Sequence, residues 1–433
     1  MTHEPRGYTL TLTEAAEAIA EGRLTSAAFA AAELARVQST DAAVEAWVTL
    51  DPDYVQREAK SRDDAGTRGT LGGIGIGVKD IIATADLPTT IGSPIFEGHL
   101  PPRDAACVTR LKAAGAFVFG KTVTTPFAFL DPGKTRNPWD PAHTPGGSSS
   151  GSAAAVAVGH VTAAIGTQTN GSIIRPAAYC GVIGFKPTLN AIPFDGAYPF
   201  SETFDTIGTF TRTVEDAARL AAVLADPGRI KGTLAPLTRA PRLAYIGDFP
   251  WIAQDCDTDD IVESAATTLR TRVEVVPVDI PPAWREARAM HRTIMLFEAA
   301  RNLGELQSRE RERMTSAVNA AIDEGRKVRA SAYDAACSAR ENAIAFFTQW
   351  LDGFDAVLAP AAPGPAPKGL ASTGDPSCCT LWSLLGFPAI SLPVGFADNM
   401  PVGLQLAAPQ DCDDRLLAVA AWCGARLTFR GLV

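Results

Sequence analysis

Strand-like and helix-like segments alternate along the 433 residues, which predicts an α/β fold: a large mixed, mostly parallel central β-sheet covered by helices on both faces. Three observations carry this expectation. Short apolar runs close to glycines recur at 74–79, 116–119, 161–166, 389–394 and 402–406. Amphipathic or alanine-rich segments separate them. A composition of 46% hydrophobic and 20% charged residues is that of an ordinary globular chain, long enough to fill one large core.

In chain order, Thr13 is placed to cap a first helix, with Glu14 and Glu17 in its first turn and Gly22 beyond its end. Thr25 or Ser26 starts a second helix that runs through Phe29, Leu34 and Val37. Segment 46–50 reads as a short strand. Segment 74–79, where apolar residues alternate with glycine, reads as the end of a buried one. A helix over 108–114 leads into a strand at 116–119, and an alanine-rich helix over 149–159 into a buried strand at 161–166. The middle, 213–350, is more helical and more charged, with strands at 242–246 and 273–278. Its Arg- and Glu-dense stretch 301–313 reads as a solvated helix face. Segment 360–376, rich in Pro, Ala and Gly, reads as an ordered but irregular loop. Strands at 389–394 and 402–406 and a helix over 413–423 complete the pattern. No internal repeat, long linker or heptad is visible.

The formal net charge is −9, which favours solubility and argues against nucleic acid as a partner. No apolar run reaches the about 18–20 residues of a membrane-spanning helix, so no membrane partner is expected. Residues 1–10 lack a basic segment followed by an apolar one, so no secretory signal is expected. None of the eight cysteines forms a CxxC pair, and reduced thiols in the cytoplasm are the expectation. The histidines, His3, His99, His143, His160 and His291, are scattered, and no metal or other cofactor is expected.

The most informative stretch, 144–152, reads Thr-Pro-Gly-Gly-Ser-Ser-Ser-Gly-Ser. A flexible linker has such a composition, but a helix follows at once, and a second Gly/Ser turn occupies 166–172. A phosphate-binding loop would need Gly-Lys-Ser/Thr. The run Gly73-Ile-Gly75-Ile-Gly77 lacks both dinucleotide spacing and a following helix. A serine such as Ser172, ending a glycine-containing turn, suits an oxyanion hole because neighbouring N–H groups converge there. Most Gly-Ser turns are nevertheless structural. A serine nucleophile also needs a base. His143, near the Gly/Ser loop, is one candidate and lysine is the other. An ordinary lysine is neutral in about one molecule in a few thousand at pH 7, and burial lowers its pKa. Lys79, ending an apolar Gly-rich strand, is the lysine best placed for burial. Read locally, it is first a strand-end surface lysine, and Asp80 a partner for backbone or a nearby cation.

Taken together, the motifs resemble the amidase signature family. They are Gly77-Val-Lys-Asp80, the Gly/Ser run from Pro145 into Ala157, the turn ending at Ser172, and Cys180-Gly-Val-Ile-Gly-Phe-Lys-Pro-Thr188. Gly386-Phe-Pro-Ala-Ile-Ser-Leu-Pro393 and Pro401-Val-Gly-Leu-Gln-Leu406 continue the series. They run in family order over most of the chain, most weakly over 230–350. The resemblance implies the amidase-signature fold in one domain, 1–433. Within it lie a signature core at 60–225, a more variable helical region at 230–350, and a part at 355–433 returning to the core sheet. It implies hydrolysis of a carboxamide C–N bond in a small-molecule amide. Ser172 would be the nucleophile, Ser148 the bridging serine after a cis Gly147–Ser148 bond, and Lys79 the base. Backbone N–H groups of Thr169, Asn170, Gly171 and Ser172 would form the oxyanion hole, with Ser149 in support. It also allows a homodimer. Two rival readings stand beside it: a glutamine-dependent amidotransferase A-type subunit working with a partner, and a catalytically silent member kept for binding.

The chain departs from the family pattern. Gln168 stands where the family has Asp, Asn170 where it has Gly, and Ile174 where it has Arg, with Arg175 one place later. A charge pair is therefore changed or absent. Residues 121–127 also replace the family's Thr-Asn followed by Glu-Phe. Lys79, Ser148 and Ser172 survive, so these changes mark a variant subfamily. Gln168, Asn170 and Phe127 are candidate substrate contacts, although Asn170 reads equally as a turn residue tolerating positive φ. Phe127, Phe129, Leu130 and Trp382 read first as core. Specificity is expected to lie in 283–350 and 360–376.

Overall fold

The computed structural model describes residues 9–66, 69–252 and 255–433. Residues 1–8, with His3 and most of the segment searched for a signal, and the side chain of Cys256 lie outside the described residues. The elements are α1 (Leu12–Ala20), α2 (Ser26–Val44), β1 (Trp47–Thr49), α3 (Pro52–Asp64), β2 (Gly75–Lys79), α4 (Ala106–Ala113) and β3 (Phe117–Thr122). Next come α5 (Ser150–Ala157), β4 (Ala163–Gln168), α6 (Ile174–Cys180), β5 (Ile183–Lys186), β6 (Thr206–Thr211) and α7 (Val214–Leu224). The middle holds β7 (Leu243–Tyr245), α8 (Cys256–Arg270), β8 (Val275–Pro277), α9 (Ala287–Glu310), α10 (Ser316–Gly325) and α11 (Ala330–Trp350). The chain then forms β9 (Ala356–Pro360), α12 (Thr380–Leu385), the hairpin β10 (Ala389–Ala397) and β11 (Met400–Ala407), and α13 (Asp413–Gly424).

Each expected strand and helix is present within a few residues of its predicted ends. One cap differs. Thr11, not Thr13, caps α1, in a capping box with Glu14. The Thr13 hydroxyl instead donates to Asp216 of α7, whose carboxylate also accepts from Leu12 N–H and Thr13 N–H. Those otherwise unpaired helix-start donors are satisfied by a residue about 200 positions away. Thr25 caps α2 as expected. Arg301, Arg309, Arg311 and Arg313 are exposed on the charged stretch and pair with Glu202, Glu305, Asp323 and Glu310.

The eleven strands among the described residues join in one sheet, in the order β1-β3-β2-β4-β6-β5-β10-β11-β9-β7-β8. The sheet is mixed, as expected, but parallel pairing does not dominate it. Parallel neighbours are confined to β3–β2–β4 and β9–β7–β8. Every other neighbouring pair is antiparallel. The cause is β6, which inserts between β4 and β5, and the β10–β11 hairpin, which docks on β5. Strands buried on both faces lose the two-residue alternation that would have revealed their partners.

Both faces of the sheet are covered, because successive residues of β2, β3, β4 and β6 are buried without a break. Ile76, Val78, Val118 and Ile165 face one core, shared with α1, α4 and α7. Phe117, Phe119 and Ala164 face the other, shared with α2, α3 and α5. The glycines of β2 follow from this alternation. A Cβ at Gly75 would lie 2.7 Å from the Phe119 ring, and one at Gly77 3.2 Å from Ala164 Cβ. Gly75, Gly77 and Lys79 thus share the face on which α5 packs. No helix among the described residues is long and apolar enough to cross a membrane.

Candidate active site

β2 and β4 run parallel, with Gly77 opposite Ala164 and Val78 opposite Ile165. Their carboxyl ends therefore lie side by side, so Lys79 emerges beside Thr167. The Gly/Ser loop leading into α5 covers both. Lys79 Nζ lies 2.7 Å from Ser148 Oγ, 2.8 Å from Thr167 Oγ1 and 3.4 Å from the Thr167 carbonyl. The side chain is fully buried. No carboxylate among the described residues is within ion-pair distance of it. Burial pushes its amine well below the ordinary lysine range, against a weaker upward pull from Asp205.

The Gly147–Ser148 peptide is cis. Ser148 is held by Thr125 N–H, which donates to its carbonyl at 3.2 Å. Ser149 pins the loop to β4: its hydroxyl donates to the Thr167 carbonyl at 3.1 Å and accepts from Thr167 N–H at 3.3 Å. His143, the other candidate base, is placed elsewhere, with Nδ1 2.9 Å from the Asp140 carboxylate and its backbone bridged to Lys368. Asp80 does pair with a cation, Lys121, at 3.5 Å, both fully buried.

Ser172 lies in the turn that follows β4, five residues beyond Thr167. Ser172 is 8% exposed, and its hydroxyl has no hydrogen-bond partner among the described residues. The backbone N–H groups of Thr169, Asn170, Gly171 and Ser172 likewise donate to no protein group among the described residues. The turn is braced instead through its side chains and carbonyls. Thr169 Oγ1 donates to Asp205 at 2.5 Å, and His291 Nε2 lies 3.0 Å from the Thr169 carbonyl. That carbonyl only accepts, so Nε2 carries the proton; burial holds the imidazole neutral, with its pKa pushed down to about 4. Burial pushes Asp205 up to about 7, against the hydrogen bonds from Thr169, Phe200 and Ser201.

The departures from the family pattern fall into place. Ile174 is buried in the apolar core, and Arg175 takes the next position on α6, under the Gly/Ser loop. Arg175 Nη2 donates to the Gly147 carbonyl at 2.7 Å and to Thr373 Oγ1 at 3.1 Å, while Nε and Nη1 have no partner among the described residues. Gln168 is 1% exposed and its amide is engaged with Ser383 and with the backbone N–H groups that start α6. Asn170 is not among the residues with positive φ; its Oδ1 accepts from Thr380 Oγ1 at 2.9 Å. Phe127 and Trp382 are core residues. Phe127 packs edge-on against Phe96 and Tyr198. Phe129 stacks on Phe200 at 4.9 Å, and Leu130 is exposed.

Thr167, Asp205, His291, Thr373 and Ser383 are contacts that the sequence did not reveal. They come from β4, the residue before β6, α9, the loop after β9 and α12, far apart in the chain, and no local motif marks any of them. The irregular loop after β9 roofs the site: a Cβ at Gly147 would lie 2.7 Å from Thr373, and one at Gly171 2.9 Å from Pro376. Both motif glycines are therefore required by close approach of that loop.

The comparisons agree with this architecture. The Amidase family model matches residues 29–417. The A-type subunit of glutamyl-tRNA(Gln) amidotransferase from Symbiobacterium thermophilum is 34% identical over 463 aligned positions, covering 94% of this chain and 94% of that protein. A solved structure described as a crystal structure of amidase superposes with a TM-score of 0.87 at 30% identity, over 97% of this chain and 100% of that one. The corresponding amidotransferase protein from Thermotoga maritima superposes with a TM-score of 0.76 at 27% identity, over 96% and 94%. With the family model spanning nearly the whole length and the fold shared end to end, the chain belongs to the amidase family, whose enzymes act on amide C–N bonds.

Proposed function

We propose that this protein is an amidohydrolase that cleaves a small carboxamide without a partner protein, with Ser172 as nucleophile, Ser148 as proton bridge and Lys79 as base. The observation that carries the reading is the buried Lys79 amine 2.7 Å from the Ser148 hydroxyl, with no carboxylate among the described residues to hold its proton. A neutral amine has a lone pair free to receive the Ser148 proton while its own N–H groups donate to Thr167. As Ser148 gives its proton to Lys79, it takes one from Ser172, whose Oγ bonds to the amide carbon. The carbonyl oxygen, now negative, meets the unoccupied N–H groups of the 169–172 turn. The proton returns through Ser148 to the leaving nitrogen, the C–N bond breaks, and ammonia or an amine departs. Water, deprotonated through the same relay, then splits the acyl ester to the carboxylate and frees Ser172.

The reading is tested with the purified chain on a panel of simple amides, with ammonia detection. Turnover is expected, with Lys79→Ala reducing kcat by about 10²–10⁴-fold while the fold is retained. A folded Lys79→Ala variant with near-normal activity would overturn the assignment. The curated relatives support a second reading, an amidotransferase component that releases ammonia from glutamine for a partner. It is favoured if the isolated chain turns over no simple amide and glutaminase activity appears only with a partner present. A silent binding member is indicated if a serine-directed acylating probe fails to label Ser172 in the folded protein.

A further inference from the structure

Behind the nucleophile turn lies a hydrogen-bond chain with no slack in its protons. Gln168 Oε1 accepts from Ile173 N–H at 2.8 Å and from Ile174 N–H at 3.0 Å. Those bonds settle which end of the amide is oxygen, because a backbone N–H only donates. The other end, Nε2, therefore donates to Ser383 Oγ at 3.0 Å. Ser383, on α12, has one proton, and it goes to the Asn170 carbonyl. All three groups are buried or nearly so.

The consequence lies in the peptide that this carbonyl belongs to. A trans peptide is planar, with its C=O and N–H pointing in opposite directions. A donor fixed on the Asn170 oxygen from the α12 side therefore aims Gly171 N–H to the other side. It also polarises that N–H, since hydrogen bonds in series strengthen one another. His291 acts in the same way on the preceding peptide, through the Thr169 carbonyl, and so aims Asn170 N–H.

We infer that Ser383 and Gln168 are positioning residues for the reaction: Ser383 aims Gly171 N–H at the developing oxyanion, and Gln168 fixes the direction of the Ser383 proton. The inference rests on the proposed role of Ser172. In this chain an ionised Glu, of the same length as Gln168, could cap α6 equally well, but it only accepts. It would draw the single Ser383 proton to itself and leave the Asn170 carbonyl without a donor.

Steady-state kinetics and thermal melts of wild type, Ser383→Ala, Ser383→Thr, Gln168→Glu, the Ser383→Ala/Gln168→Glu double variant and Ser172→Ala decide it, on any amide the wild type turns over. Losing one aimed oxyanion donor costs about 10²–10³-fold, and a misaimed one costs less. Ser383→Ala and Gln168→Glu are each expected to lower kcat by about 10- to 100-fold with KM within about twofold. The double variant is expected to be no worse than either single one, and Ser383→Thr to recover most of the loss. If Ser172→Ala abolishes turnover but folded Ser383→Ala keeps kcat within about twofold of wild type, this inference fails and the proposed function stands. If the kcat losses of the two single variants multiply, the chain does not act as a unit and the inference fails. Should Gln168→Glu not fold, the Ser383→Ala and Ser383→Thr pair decides alone. If Ser172→Ala is as active as wild type, the proposed function fails, and this inference with it.

Discussion

A buried amine with hydroxyl neighbours and no carboxylate gives up its charge because the desolvation cost of the ammonium is not repaid. Lys79 is in that position, and the same feature fixes its pH behaviour and its effect on stability. Activity is expected to rise as pH climbs through the depressed Lys79 pKa and then level off, a profile read from kcat/KM across the acid and neutral range. The stability sign follows from proton counts. Between the folded and the ordinary lysine pKa, the unfolded chain binds a proton that the folded one does not, so folding gains as pH rises there. In Lys79→Met that slope is removed. The melting temperature of wild type relative to Lys79→Met is therefore expected to rise toward alkaline pH, and a pH-independent difference would contradict the buried neutral amine. At this scale the sequence was informative about residue type only. It offered many serines and lysines, and physical reasoning alone left Lys79 as a surface residue; the family resemblance selected it. What was illegible was its surroundings, because Thr167 and Asp205 reach the site through sheet pairing.

Elements were read more securely, since caps, glycine stops and apolar runs are local. The Thr25 cap and the alanine-rich α5 were legible for that reason. The α1 cap was displaced by two residues because a distant carboxylate, Asp216, takes up the next threonine. The small residues of α5 have a packing cause that the sequence hints at but does not state. A Cβ at Gly151 would lie 2.2 Å from the Ala46 carbonyl oxygen and 2.3 Å from Val123 nitrogen. Both are backbone atoms of segments that pair in the sheet region, so neither rotates away. Gly151→Ala gains about 1 kcal/mol of helix propensity. Overpacking against backbone costs about 1–3 kcal/mol or more, and the clash wins. A fall in the denaturation midpoint with unchanged m-value is expected; a stabilised variant would show that α5 stands off from β1 and β3.

Across the whole molecule, the two cores on either side of the sheet enclose polar groups whose protonation is tied to folding. His160 is fully buried: Trp47 Nε1 donates to its Nδ1 at 3.2 Å, so Nε2–H donates to Thr40 Oγ1 at 2.7 Å. Burial pushes its pKa down from 6.5 to about 3. The unfolded chain takes up that proton first, so the stability is fully present above about 6.5 and is lost as pH falls toward 3. Acid unfolding monitored by circular dichroism is expected to show this loss, and His160→Gln to flatten it; equal slopes would contradict it. The sequence by itself determined the element order, the alternation that makes an α/β fold, and the turns that carry Ser148 and Ser172. These are local matters of periodicity, capping and backbone freedom. Only the tertiary structure decided that the sheet is largely antiparallel outside two parallel groups, that Lys79 lies against Ser148, and that Gln168 and Arg175 serve the interior of the site. Each of these depends on strands and helices meeting across long stretches of chain, where burial on both sides erases the local pattern that would announce the partner.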